Sequence, residues 1–362
     1  MSKVLKRFAF CCIGMCLAGS VAHADGAIVI EGGMLIDVAR PETIGTATLV
    51  IDNGRIIAVG APDDIEIPAE ATVIDARNRF VMPGIADMHN HLRTGMFRPG
   101  SDKAAILEDL LDWGVTTVMD PGVAEDTFDS LRLTIDEDPD AFPRAFLVRG
   151  MFTTEDGWGD GYKPTTEAEA REFVRKLKAA GSDGVKIIYD DMSWVTTRPF
   201  AVLDRRIVAA IIDEAHRQHM KAFAHAPLQA PALFHEVPQG TPRLDNTVWA
   251  AERLPVLRAN LFTVANAGIP MLIGTDTGIP GVLPGVATQL ELVMHAEAGL
   301  MPAAVLQAAT ANAARVMDRE GEFGTLAVGA QADLLVLDAD PRDDVANIRR
   351  IRHVIRSGRV VR

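Results

Sequence analysis

Val81-Met82-Pro83-Gly84-Ile85-Ala86-Asp87-Met88-His89-Asn90-His91-Leu92 is the stretch on which the reading of this chain turns. Apolar residues lead into it, so it reads as a buried strand ending in a polar loop. His89 and His91 stand at i and i+2, which puts both side chains on one face of a strand. Two imidazoles converging from one strand end suit zinc and similar ions. An isolated H-x-H pair is more often two polar residues in a loop. Here a Pro-Gly turn and an acid precede the pair, and Lys186, His225 and Asp276 follow at the ends of later strand-like runs.

Working outward, the centre alternates strand and helix. Residues 115–120, 145–150, 184–189, 221–225 and 270–276 are strand-like. Helical spacing covers 103–113, 166–180, 203–219, 286–298 and 302–317. Repeated βα units imply a parallel sheet, and active sites of βα barrels form at the C-terminal strand ends. Both ends of the chain are different: 27–30, 47–51, 56–59 and 72–75, with 332–337 and 351–356, are short β runs, and Asn53-Gly54 is a hairpin-turn signal. Neither end buries much alone. The economical reading is one small β-sandwich built from residues 25–82 with 320–362, flanking a barrel over 83–319.

Composition narrows the function. The chain has 362 residues, 48% hydrophobic and 23% charged, which leaves room for one large and one smaller domain. A net charge of -13 argues against nucleic acid, whose phosphates call for basic patches. The same charge favours solubility and, mildly, the steering of cationic substrates. Lys3, Lys6 and Arg7 precede an apolar run over 8–21 that is too short to span a bilayer. Ala22-His23-Ala24 is a small-x-small cleavage site, so residues 1–24 read as a signal peptide and the protein as periplasmic or secreted; a retained anchor is the alternative. No later stretch resembles a membrane helix. Cys11, Cys12 and Cys16 all fall inside this leader, so the mature chain carries no thiol, and a metal site must use His, Asp, Glu or Lys.

The ordered set Pro83-Gly84-x-x-Asp87-x-His89-x-His91, Val185-Lys186-Ile187, Phe223-Ala224-His225-Ala226 and Gly274-Thr275-Asp276-Thr277-Gly278 resembles the amidohydrolase superfamily. Within it, the imidazolonepropionase-like and prolidase-like metal-dependent branch is the nearest likeness. The tail runs Gly329-Ala330-Gln331-Ala332-Asp333-Leu334 and Gly358-Arg359-Val360-Val361 match too. The resemblance implies an α/β fold, a distorted (β/α)8 TIM-like barrel with a terminal β-sandwich, and one or two divalent ions, usually zinc. By it, His89 and His91 bind one ion, a carbamylated Lys186 bridges two, His225 binds the second, and Asp276 binds the first and acts as general base. A plain lysine is cationic and a poor ligand; the carbamate makes Lys186 sensible there. An ion so placed lowers the pKa of its water and polarises the carbonyl under attack, while Asp276 takes the proton and returns it to the leaving amine. The implied substrate is a small amide, dipeptide or cyclic amide, and a homo-oligomer is compatible.

One segment breaks the pattern. Three βα units should lie between His225 and Asp276, yet each needs ~30 residues. Pro227, Pro231, Pro238, Gly240 and Pro242 punctuate its first part, and 247–267 reads as a single helix despite Pro255. One or two units are therefore expected to be missing between 226 and 269. His235, the sole candidate for a sixth-strand ligand, follows His225 too closely for a normal crossover. The competing function is then a truncated, catalytically impaired relic that binds metal without turnover. A small-molecule binder without chemistry leaves His89, His91 and Asp276 unexplained. His216, His219, His295 and His353 read as surface or packing residues. Arg149, Trp158, Tyr189 and Trp194 are candidates to face substrate, with loop packing equally open for each. Gly157-Trp158-Gly159-Asp160-Gly161 lacks the flanking strand and helix of a dinucleotide fingerprint and reads as loop.

Overall fold

The computed structural model describes residues 26–41, 45–92, 103–193, 198–225, 246–278 and 282–362. The leader with its three cysteines, Trp194 and His235 lie outside the described residues. In chain order the elements are β1 (Ile28–Leu35), β2 (Gly45–Asp52), β3 (Arg55–Gly60), β4 (Thr72–Asp75), β5 (Phe80–Pro83), β6 (Ile85–Asp87), α1 (Lys103–Asp112), β7 (Val115–Val123), α2 (Glu125–Glu137) and β8 (Arg144–Arg149). They continue as α3 (Glu167–Ala179), β9 (Gly184–Ile188), α4 (Arg205–Arg217), β10 (Lys221–His225), α5 (Asn246–Asn266), α6 (Val286–Glu297), α7 (Pro302–Ala308), α8 (Ala311–Val316), β11 (Leu334–Leu337), β12 (Ile351–Arg356) and β13 (Arg359–Val360).

Strands from both ends of the chain share one eight-stranded sheet, ordered β13-β12-β11-β5-β1-β2-β3, with β4 also paired to β1. The β2–β3 hairpin turns through Asn53 and Gly54, both at positive φ (48° and 74°), as an Asn-Gly turn requires. Ile30, Leu49, Ile51, Val81, Leu334 and Val336 form its apolar side. β11 runs antiparallel to β5, from Leu334 opposite Pro83 to Leu337 opposite Phe80. The tail thus anchors the residues that feed β6. Buried Arg356 joins the sheet to the β8 side: it pairs with Asp333 at 2.9 Å and donates to the carbonyls of Phe142 and Pro139.

β6, β7 and β8 form a parallel ladder, as do β9 and β10. Phe152 N–H donates to Lys186 O at 2.7 Å and links the two ladders. On the other side of β6, residues 273–277 run alongside: Met88 N–H donates to Ile273 O (2.8 Å), Asp276 N–H to His89 O (2.7 Å) and His91 N–H to Thr277 O (2.6 Å). The run expected as a strand over 270–276 is therefore hydrogen-bonded in place but not regular, because Asp276 sits at φ 54°, outside the extended region. Gly84 permits the close approach of β6 and β7, since a Cβ there would overlap the side chain of Thr116.

The helical spacing over 302–317 resolves into α7 and α8, separated where Thr310 adopts φ -135°, ψ -92°. α2 buries Phe128, Leu131 and Ile135, at helical spacing, against the β-strands. Among the described residues, β10 pairs with β9 alone, and none of the described α5 side chains is buried.

Candidate active site

β6 ends at Asp87, so His89 and His91 lie just beyond the strand rather than on its face. They still converge: His89 Nε2 is 3.4 Å, and His91 Nε2 3.2 Å, from Asp276 Oδ1. The two rings meet edge to face at 5.3 Å. Glycines on either side of Asp276 make this approach possible. A Cβ on Gly274 would lie 2.9 Å from His89 Cβ, and one on Gly278 2.6 Å from His91 Cβ, while Gly278 also has φ 102°. Asp276 itself holds a left-handed backbone, a conformation costing a non-glycine residue of order 1 kcal/mol and concentrated at functional sites.

Asp87 ties the two segments together. Its carboxylate accepts from Thr275 N–H (3.2 Å), Thr275 Oγ1 (2.7 Å), Thr288 Oγ1 (2.9 Å), His89 N–H (3.3 Å) and Asn90 Nδ2 (3.3 Å). Burial pushes its pKa up, and those bonds offset part of the effect. Asp120, near the end of β7, does for His91 what Asp87 does for the backbone. Its Oδ1 is 3.2 Å from His91 Nδ1, and Leu92 and Gly122 N–H groups fix it at 2.9 Å each. A proton on Nδ1 directed at Asp120 fixes the ring so that Nε2 is the nitrogen facing Asp276.

These surroundings split the two imidazoles. Burial, with Lys186 and His91 nearby, pushes His89 down to about 4. Burial opposes charge on His91 too, yet Asp120 and Asp276 together raise it to about 9. Burial acts to raise Asp276, but His91, His89 and Lys186 outweigh it and hold the carboxyl below its ordinary value.

Lys186 stands on β9 opposite Phe223 of β10, so Lys186 and His225 point to the same face of that ladder. Lys186 is buried and has no ion pair among the described residues; burial pushes its pKa down although Asp276 and Asp120 pull it up. His225 stacks on Trp158 at 5.3 Å, and its Nε2 lies 3.2 Å from fully buried Asp190 without a well-directed hydrogen bond. Burial, then the Lys186 charge, lowers its pKa.

The donor set fits a divalent ion. His89, His91 and Asp276 each offer one ligand atom, and these lie within 4.8 Å of one another. The 3.2 and 3.4 Å spacings match the edge of about 3.4 Å expected when nitrogen and oxygen ligands stand ~2.1 Å from a tetrahedral centre. Lys186, a buried residue without an ion pair among the described residues, and His225, whose Nε2 makes no well-directed hydrogen bond, add further candidate donors on the same ladder face.

Of the four residues offered as candidates to face substrate, Trp158 stacks on His225. Arg149 instead pairs with Asp129 at 2.8 Å. Tyr189 turns its hydroxyl toward Arg205, 3.4 Å away. His216 and His219 are exposed, His353 lies in β12, and His295 is buried 3.7 Å from Glu291. Asp87 was quoted as part of the opening motif, but its bracing role, and those of Asp120 and Asp190, escaped the sequence reading. The available signal was position, since Asp120 and Asp190 stand near the C-terminal ends of barrel strands.

Glu291 accepts from Gly274 N–H at 3.0 Å, and burial, with Asp87 and Asp276 adding to it, pushes its carboxyl up to about 8. A carboxyl whose folded pKa exceeds its ordinary 4.5 favours the native state at low pH and loses that contribution as pH rises through about 8. Metal-free protein should therefore lose about 2–4 kcal/mol of stability between about pH 5 and pH 9 that Glu291→Gln does not lose. Denaturant titrations across that range check this, and parallel curves for the two proteins would refute it.

Parallel βα ladders with a His-His-Asp cluster near their C-terminal ends place the chain in the TIM-like barrel class. The sequence profile of the Amidohydrolase family matches residues 80–238 and 243–361, and the chain belongs to that family, whose members hydrolyse carbon–nitrogen bonds. It is 24% identical over 392 residues to imidazolonepropionase of Geobacillus kaustophilus, covering 88% of this chain and 90% of that protein. It is 25% identical over 356 residues to adenine deaminase of Paracoccus denitrificans, of which it spans only 55%. A solved structure from Bifidobacterium longum, assigned to the prolidases, superposes with a TM-score of 0.73 at 26% identity, covering 93% of this chain and 94% of the other.

Proposed function

We propose that this protein is a metal-dependent hydrolase of small amides, dipeptides or cyclic amides, with Asp276 as general base. The observation that carries this is the convergence of His89 Nε2 and His91 Nε2 on Asp276 Oδ1, with Asp120 bracing His91 from behind. Two imidazoles and a carboxylate, without thiols, suit zinc. Bound there, the ion supplies an activated water and a polarised carbonyl. Asp276, 48% exposed at its side chain, is open to solvent and can take a proton on the oxygen not aimed at the histidines, then pass it to the leaving amine. Lys186, buried and biased toward its neutral form, is the amine suited to carbamylation, and His225 stands on the same ladder face. We further read residues 1–24 as an export signal to the periplasm or beyond, and the chain as a barrel over 83–319 flanked by a domain of 25–82 with 320–362.

The test is purification after expression with zinc and bicarbonate, followed by metal analysis and a dipeptide and lactam panel. One to two zinc ions per chain are expected, with hydrolysis falling at least ~100-fold on chelation and returning with zinc. A 13C-bicarbonate-derived carbamate signal should appear and vanish in Lys186→Ala. Protein that binds no metal under these conditions would end the proposal.

A second reading, an impaired relic that binds metal without turnover, rests on the short segment between His225 and Asp276. The alignment with the Geobacillus enzyme spans 392 positions while covering 88% of this shorter chain, so the relative carries residues absent here. Metal binding with no turnover on the panel would favour it.

A further inference from the structure

Asp276 is carried on a segment outside the regular strands, and the partners of its backbone N–H groups over 273–277 show what holds it. Ile273 N–H donates to Ala308 O at 3.4 Å and Asp276 N–H to His89 O at 2.7 Å. The other three go to side chains. Gly274 N–H donates to Glu291 Oε1 (3.0 Å), Thr275 N–H to Asp87 Oδ1 (3.2 Å) and Thr277 N–H to Thr275 Oγ1 (3.2 Å). Two carboxyl groups therefore grip consecutive peptide units just before Asp276, Asp87 from the end of β6 and Glu291 from α6.

The sequence of α6 suits this grip. Thr288, Glu291, Leu292 and His295 fall at i, i+3, i+4 and i+7 and so share one helix face. Thr288 Oγ1 donates to Asp87 Oδ2 at 2.9 Å, so the helix holds the segment directly through Glu291 and indirectly through Asp87. The start of the helix is fixed in turn. Gln289 Nε2 donates to Trp113 O at 2.9 Å, and a Cβ on Gly285, which has φ 72°, would overlap the Trp113 side chain.

The grip matters because Asp276 sits at φ 54°, a conformation that persists only where its surroundings over-determine it. Without an acceptor for Gly274 N–H the segment can relax toward extended backbone, which turns the Asp276 carboxylate away from the two histidine Nε2 atoms. Burial pushes the Glu291 carboxyl up to about 8, so at neutral pH it is mostly the uncharged acid, whose carbonyl oxygen accepts as an amide's does.

We infer that Glu291 is a positioning residue for the reaction: through Gly274 N–H it fixes the backbone that aims the Asp276 carboxylate at His89 and His91. This rests on the hydrolase reading above and adds the residue that sets its base. Glu291 acts through Gly274 and not on the reacting atoms.

Glu291→Met keeps length and helix propensity but has no oxygen to accept the bond, whereas Glu291→Gln keeps the acceptor without the acid. At matched zinc content, Glu291→Met should lower kcat at least ~10-fold with KM within ~3-fold, and Glu291→Gln should bring kcat back to within ~3-fold of the wild type. Wild-type turnover in the methionine variant would overturn the inference. So would a glutamine variant as slow as the methionine one, since the bond to Gly274 would then not be what counts. Hydrogen exchange of the metal-free proteins gives a readout independent of turnover. At about pH 6 the peptide 270–278 should exchange at least ~10-fold faster in Glu291→Met than in the wild type or Glu291→Gln, while a peptide over 115–123 keeps its rate. Equal exchange of 270–278 in all three proteins removes the inference whether or not any substrate is cleaved. Faster exchange without cleavage by the wild type upholds the grip and leaves only the hydrolase reading to fall. Should the methionine variant not fold, Glu291→Ala replaces it in both measurements.

Discussion

Replacing Asp276 with asparagine is expected to lower kcat at least ~10³-fold at full zinc occupancy. The amide keeps a carbonyl oxygen where Oδ1 meets His89 and His91, but it cannot take a proton. Its neutral charge also removes one of the two carboxylates that raise His91. Metal content and turnover must therefore be measured on the same sample. Zinc retained with turnover lost identifies the base. Turnover within ~10-fold of the wild type at equal occupancy would assign proton transfer to another group. A variant of His91, by contrast, should lose metal first, because its lone pair is directed only while Asp120 holds Nδ1.

Asp87→Ala is expected to have the largest effect on stability, about 3–5 kcal/mol, or a fall of roughly 5–10 °C in Tm. Five donors converge on this fully buried carboxylate, from Thr275, Thr288, His89 and Asn90. Alanine leaves them unpaired in a space too dry to replace the acceptor. The same change frees the 275–277 segment from the end of β6, so zinc affinity should fall although Asp87 is not among the three convergent ligand atoms. Thermal unfolding with and without zinc checks both parts. A Tm within ~2 °C of the wild type would show that the five bonds are dispensable. Asp87→Asn, which keeps one acceptor oxygen, should fall between the two.

Residue periodicity was enough for most of the secondary structure. Short β-rich runs at both ends pair in one sheet, and the central strands and helices stand within a few residues of their expected places. The exceptions have local causes. α2 carries its apolar residues at helical spacing between strands β7 and β8, but acidic residues outnumber them and mask the pattern. The helix over 302–317 breaks at Thr310, whose backbone leaves the helical region while its hydroxyl donates to Leu306 O at 2.7 Å. The 270–276 run is a barrel stave by hydrogen bonding alone, since the left-handed Asp276 interrupts its extension.

The candidate donors were legible because they are written locally. His89 and His91 are two residues apart, and Asp276 is framed by glycines that only a crowded turn requires. What surrounds those donors was not legible. Asp120 is far along the chain from Asp276, and Asp190 from His225 is a strand and helix away. Sequence by itself determined which side chains are candidates to bind a metal and move a proton, because those are properties of single residues and short spacings. Tertiary structure alone decided which acids brace them, because that depends on parallel strands bringing their C-terminal ends to one rim.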